Sequence, residues 1–219
     1  MNPNEVAEKS GLNHIPPTQG VNLGGKMYLS KIKLSSLKKG IKTKKSKEEF
    51  THSLVESLFP YEIESRIRTR KLWNLEKNNL LILSESKPDE ETLKNMGIKE
   101  GDFLSKRYTP LLKSIKKDNK YFFRITINPT KKQNGKVIPI YNNQEIMEYL
   151  EKRSETRGFC LYNFYIKEKS TITIKNNINL PKITFEGFLK VTDVEKFQET
   201  LKKGIGRGKA YGFGLMLIA

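Results

Sequence analysis

Two groups of residues in this chain are suited to handling protons and phosphates. One is His52, in the stretch EEFTHSLVESLFP; the other is GIGRGKAYGFG, residues 204 to 214, where five glycines enclose Arg207 and Lys209. A histidine titrates near neutrality, so His52 is the natural candidate for proton transfer. A lone helical histidine is ordinarily solvated or satisfied, and the place of His52 at the edge of an apolar stripe, near Phe59, fits that bland reading too. His14 lies in a segment without periodicity and is given no role. No second histidine and no tight acidic cluster with ligand spacing accompanies His52, so no metal site is expected. The single cysteine, Cys160, excludes an internal disulfide framework and any multi-Cys metal site, and in FCLYNFY it reads as a buried small hydrophobe. Without a G-x-S-x-G or Cys–His pairing, any reaction is expected to be acid–base chemistry that uses no metal and no cofactor.

The glycine run raises the question of a nucleotide. A dinucleotide fingerprint needs a strand, then glycines, then a helix whose N-terminus faces the pyrophosphate. Here the order is reversed, with a helical pattern entering the run and an apolar strand leaving it, and no Gly-Lys-Ser/Thr is present. A cofactor cradle is therefore excluded. Gly204 reads as a helix stop, while Gly212 and Gly214 flank the strand. For Arg207 and Lys209, a structural role and contact with an RNA backbone stay equally open.

For the chain as a whole, composition favours a nucleic-acid partner. Lys+Arg 41 against Asp+Glu 24 gives a net charge of +17 over 219 residues, and such a field draws polyanions. No apolar run approaches the roughly 20 residues that span a bilayer, and residues 1–26 lack the apolar segment of a secretory signal. The expected place is the cytoplasm, with no membrane partner.

The elements that must position these residues follow a repeating order. Residues 1–26 read as a disordered extension, so Met27 is the expected natural start. MYLSKIKL alternates as a strand, and the basic stretch KKGIKTKKSK reads as a loop. Ser46 and Glu49 form a capping box opening a helix whose stripe is Phe50, Leu54, Val55 and Leu58, stopped by Pro60. Strands over 69–76 and 79–86, a helix over 89–96 and a strand over 103–115 complete β-α-β-β-α-β. The order recurs: YFFRITIN, a helix over about 144–153, FCLYNFYIK with STITIK and ITFEGFLKV, a helix opened by a Thr192/Glu195 capping box, then FGLMLIA. The expected fold is α+β, two tandem ferredoxin-like (RRM-like) βαββαβ domains over 27–116 and 117–219. Trp73 is expected in the core. An RNP-type signature is missing and Tyr121, Phe122 and Phe123 read as easily core as platform, so hairpin RNA held by basic side chains is favoured over stacking.

MYLSKIKL, His52 followed by LVESLFP, LWNLE, YFFRITINPTKK, GKVIPI and the ending FEGFLKVTD…GIGRGKAYGFGLMLIA resemble, in the same order over residues 27–219, the CasE family. These are type I-E CRISPR-associated endoribonucleases that process precursor CRISPR RNA. The resemblance implies tandem ferredoxin-like domains and metal-free cleavage at the 3′ base of the repeat hairpin by 2′-hydroxyl attack. It implies 2′,3′-cyclic phosphate and 5′-hydroxyl products, and an enzyme that stays on the RNA among the other Cascade subunits. His52 falls at the family's catalytic histidine, taking the 2′-hydroxyl proton or protonating the leaving 5′-oxygen. Glu49 stands where the family carries a tyrosine, which leaves a catalytically impaired RNA-binding subunit as the alternative; Tyr61, Lys31 and Lys33 are weak substitutes. For RNA grip, Arg124, Lys131 and Lys132 match the basic FR…NPxK segment, and Arg153 and Arg157 the basic helix end.

Overall fold

The computed structural model describes residues 25–37 and 46–219; most of the expected disordered extension and basic loop, with His14, lies outside the described residues. Strand β1 (Tyr28–Lys33) leads to helix α1 (Lys47–Ser57), whose N-terminus is the expected capping box. Ser46 Oγ accepts from the Glu49 amide at 3.2 Å, and the Ser46 amide donates to Glu49 Oε2 at 3.1 Å. These bonds satisfy two of the donors that a helix start leaves open. Pro60 does more than stop this helix: it opens a further short one, α2 (Pro60–Ser65), where its missing N–H has no bond to lose.

Strands β2 (Leu72–Glu76) and β3 (Asn79–Ser84), helix α3 (Glu90–Asn95) and strand β4 (Phe103–Arg107) follow. The expected strand over 103–115 ends at Arg107, because Pro110 falls in the first turn of a helix, α4 (Thr109–Ser114). The sheet order is β2-β3-β1-β4, wholly antiparallel, which is the ferredoxin-like arrangement. Ile32, Trp73, Leu80 and Ile82 on the strands meet Leu54 and Val55 of α1, and Leu58 at its C-terminal cap, in one core.

A second sheet forms from β5 (Lys120–Ile127), β8 (Phe159–Ile174), β9 (Ile178–Val191) and β10 (Met216–Ile218), with helices α5 (Asn143–Glu155) and α6 (Val194–Lys203) between its strands. Its order, β10-β5-β9-β8, repeats that of the first sheet once each is counted from its own first strand. FCLYNFYIK and STITIK, expected as separate strands, form the single β8, bent by irregularities after Tyr162 and Ile166. Asp193, rather than Thr192, caps α6: its carboxylate accepts from the Lys196 amide at 3.1 Å. Between β5 and α5 lies a hairpin absent from the expectation, β6 (Thr130–Gln133) and β7 (Lys136–Pro139), turned by Asn134 and Gly135. The second core also takes in Met27, Leu72, Leu83, Tyr108 and Leu112, so apolar packing continues from one sheet into the other. Among the described residues no helix is long and apolar enough to cross a membrane.

Candidate RNA-processing cleft

Helix α1 presents His52 on its half-buried side, in the turn before Glu56. Both residues line an open cleft of about 480 Å³ together with Arg68, Thr69, Arg70, Lys71 and Trp73, which lead into and begin β2. Lys209 and Ala210 of the glycine run form its remaining wall. The two groups of residues that could handle protons and phosphates, 157 positions apart for His52 and Lys209 by their numbers (209 minus 52), therefore share one cavity.

The glycine run reaches the cleft because its backbone can approach very closely. Gly212 has φ 82°, and a Cβ there would lie 2.5 Å from Cζ3 of Trp73, closer than any real carbon contact. Asn74 Nδ2 completes the seam by donating to the Gly212 carbonyl at 3.3 Å. Trp73 is 2% exposed, as expected of a core residue, and its ring is the surface on which the run rests. At the start of the run, Arg70 Nη1 donates to the Lys203 carbonyl at 3.5 Å.

Lys209 Nζ donates to the Gly206 carbonyl at 2.6 Å. Burial, and then the nearby charges of Arg70 and Arg157, hold its ammonium below the usual lysine range. Arg153 lies over Tyr149, with its guanidinium carbon 3.4 Å from the ring centre. Burial pushes the Tyr149 hydroxyl up against the pull of Arg153, Arg157 and Arg207. That hydroxyl is enclosed beside Gly206, and Thr130 approaches it outside good hydrogen-bond geometry. Arg153, Arg157, Arg207 and Lys209 thus form one cationic group running from the end of α5 to the cleft, and Arg70 extends it. Mutual repulsion in such a group is relieved when an anion enters.

Below the cleft, Lys71 is buried with Glu62: Nζ lies 2.6 Å from Glu62 Oε2, 3.8 Å from Glu56 Oε2 and 5.0 Å from the centre of the Phe59 ring. Burial raises the Glu62 carboxyl, but hydrogen bonds from Lys71 and Thr69 outweigh it and hold the group below its usual range. This pair fixes the segment that carries Arg68 and Arg70.

The other sequence candidates stand elsewhere. Arg124 pairs with Glu76 at 2.8 Å and Glu186 at 3.3 Å, and Lys131 with Glu145 at 2.5 Å. Lys132 is exposed on the β6–β7 hairpin, and none of the three lines the cleft. Tyr61 is turned to Ser86, 2.6 Å between hydroxyls, and Lys33 to Asp102 at 3.7 Å; neither they nor Lys31 reach His52's cavity. Glu49 is already engaged, since its Oε1 accepts from the Lys175 amide at 3.0 Å as well as closing the capping box. Cys160 is exposed, against the expectation of burial, because it falls on the open side of β8 opposite Lys190 while Phe159 turns inward. Arg68, Arg70 and Lys71 escaped the sequence reading, although the basic run RIRTRK immediately before the buried Leu72 and Trp73 could have marked them.

The family model described as CRISPR associated protein matches residues 27–219. A curated relative, the CRISPR-associated endoribonuclease Cse3 of Thermus thermophilus, is 27% identical over 175 residues, spanning 69% of this chain and 81% of that protein. A solved structure of CRISPR endoribonuclease Cse3 bound to 19-nucleotide RNA superposes with a TM-score of 0.75 at 25% identity, covering 89% of this chain and 98% of that one. A chain of a CRISPR RNA-guided surveillance complex shares the fold at 19% identity, with a TM-score of 0.61 and coverage of 88% and 99%.

Proposed function

Because the chain belongs to the CRISPR associated protein family, as a member of its CasE branch, we propose that it is the endoribonuclease that processes precursor CRISPR RNA, cutting at the 3′ base of the repeat hairpin. The observation that carries this reading is the meeting of His52 and Lys209 in one cleft, flanked by cations that repel one another until a polyanion enters.

In the reaction, the ribose 2′-hydroxyl beside the scissile bond attacks its phosphorus. The bond to the 5′-oxygen breaks, leaving a 2′,3′-cyclic phosphate on one product and a 5′-hydroxyl on the other. One proton leaves the 2′-oxygen and one reaches the departing oxygen, and His52 is placed to carry either. Negative charge grows on the phosphate oxygens as the attack proceeds. Lys209, a partly desolvated ammonium lining the same cleft, stabilises that charge. No metal is required for these steps. Arg153, Arg157 and Arg207 hold the hairpin backbone outside the cleft, with Arg124, Lys131 and Lys132 as more distant contacts. The chain is divided into the catalytic unit over 27–116 and the hairpin-gripping unit over 117–219. After cleavage the enzyme remains on the guide, within a Cascade complex.

Incubation with the repeat RNA of its own locus in EDTA tests the reading. The wild type is expected to cut once within the repeat, and His52→Ala to bind without cutting. Cleavage by both would remove His52 from the mechanism. Tight binding without cleavage by either would favour the impaired-subunit alternative, for which Glu49's engagement away from His52 is the supporting observation.

A further inference from the structure

The open face of the second sheet carries aromatic rings that the cleft does not use. β5 and β9 are its two central strands, and Phe122 on the first lies directly opposite Phe188 on the second. Their rings meet edge to face, 5.7 Å between centres. Tyr162 on β8 stands opposite Phe188 in turn, nearly parallel at 22° and 5.9 Å away. Phe122 and Phe188 are 37% and 44% exposed, whereas their neighbours Phe123 and Leu189 are wholly buried on the other side of the sheet. Two exposed rings continued by the half-buried Tyr162, and rimmed by polar groups, suit an interaction surface.

The rim identifies the partner. Lys120 Nζ lies 5.6 Å from the Tyr162 ring centre, and Lys190 stands opposite Lys120 in the register. Asp118 pairs with Lys190 at 2.8 Å. The other carboxylate here, Glu186, is neutralised by Arg124 at 3.3 Å and Lys167 at 3.5 Å, and accepts from the Tyr165 hydroxyl at 3.0 Å. Rings beside lysines, on a chain of net charge +17, suit a polyanion that also carries flat apolar faces. A four-stranded sheet with aromatics at such positions can stack two or three unpaired bases.

We propose that Phe122, Phe188 and Tyr162 form a stacking platform for the bases of single-stranded RNA, separate from the cleft that holds His52. Lys120 and Lys190 contact its phosphates. Sequence selectivity is weak, because every base presents a π-face.

Binding of a short unstructured oligouridine to the full-length protein tests this without reference to cleavage. Replacing both rings, as Phe122→Ala with Phe188→Ala, is expected to weaken oligouridine binding by about tenfold or more while leaving repeat-hairpin binding unchanged. The Phe122→Tyr, Phe188→Tyr pair is expected to retain oligouridine binding. In the wild type, oligomers containing 4-thiouridine are expected to photocrosslink to β5, β8 or β9. Equal oligouridine affinity in all three proteins, parallel loss of hairpin and oligouridine binding, or crosslinks confined to other elements would overturn the platform. A double alanine variant that binds oligouridine normally but no longer co-purifies with its complex would assign the face to a protein partner instead. Failure of the hairpin to be bound or cut by the wild type would count against the processing reading alone.

Discussion

The two sheets share one strand order and differ in what they hang on it. In the first unit the helix after the first strand, α1, brings His52 to the cleft. In the second, the corresponding helix, α5, carries the cations Lys152 and Arg153 in its last turn, and the distinctive insertion comes later, between α6 and the final strand. That insertion is the glycine run, which crosses to the first unit and delivers Lys209 beside His52. The same topology has therefore been used twice, once to hold a histidine at the cleft and once to extend a cation across a seam. Identical folds leave function to the connections between strands.

The strongest way to break this contrast is to remove the second unit's contribution to the cleft. Lys209→Ala is expected to slow single-turnover cleavage by about 10²–10³-fold with much smaller loss of hairpin affinity. An unchanged rate would reduce the second unit to a scaffold. Next in size is the seam. Gly212→Ala adds a Cβ 2.5 Å from the Trp73 ring at φ 82°, a combined overpacking and backbone cost of about 2–4 kcal/mol. A melting temperature lowered by several degrees, with cleavage impaired more than binding, is the expected result; an unaltered protein would mean that the run is not pressed against Trp73.

Electrostatics sharpens the division of labour further. The Lys209 ammonium is held below the usual lysine value of 10.5 by burial and by Arg70 and Arg157. As pH rises through that lowered value, Lys209 loses its charge before a surface lysine would, so the wild-type rate should fall early on the alkaline side. Lys209→Arg keeps the charge, and its pH–rate profile should lack that fall. The smallest expected effect concerns Glu49. Its carboxyl is held below 4.5, first by the Ser46 amide and further by the Ser46 side chain and Lys175. The tie between α1 and the β8–β9 turn is thus fully present above 4.5 and is lost as pH falls through the lowered value. Glu49→Gln should speed hydrogen exchange at the Lys175 amide at neutral pH without abolishing cleavage.

Local signals made much of the architecture legible. The Ser46/Glu49 capping box and the helix stop at Gly204 follow from residue types whose backbone bonding is decided within a few positions. The β6–β7 hairpin was equally local, an Asn-Gly turn in QNGK, but it was read only as part of a basic motif. Proline was decisive twice: Pro60 follows the end of α1 as expected and also opens α2, whereas Pro110, expected within a strand, opens a short helix. Cys160 was misplaced because an apolar neighbourhood in sequence does not reveal which side of a strand faces out. The cleft itself was half legible. His52 and Lys209 were both marked, yet nothing local in either segment says that they meet, because the approach depends on Gly212 lying against Trp73 across two sheets. Arg70 depends on the same long-range packing.

Trp73 is the only tryptophan in the chain. It lies both under Gly212 and in the wall of the cleft. The protein therefore has an intrinsic fluorophore at the point where its two halves meet. Its emission reports whether the halves are docked, and a change when RNA arrives reports occupancy of the cavity, with no label attached.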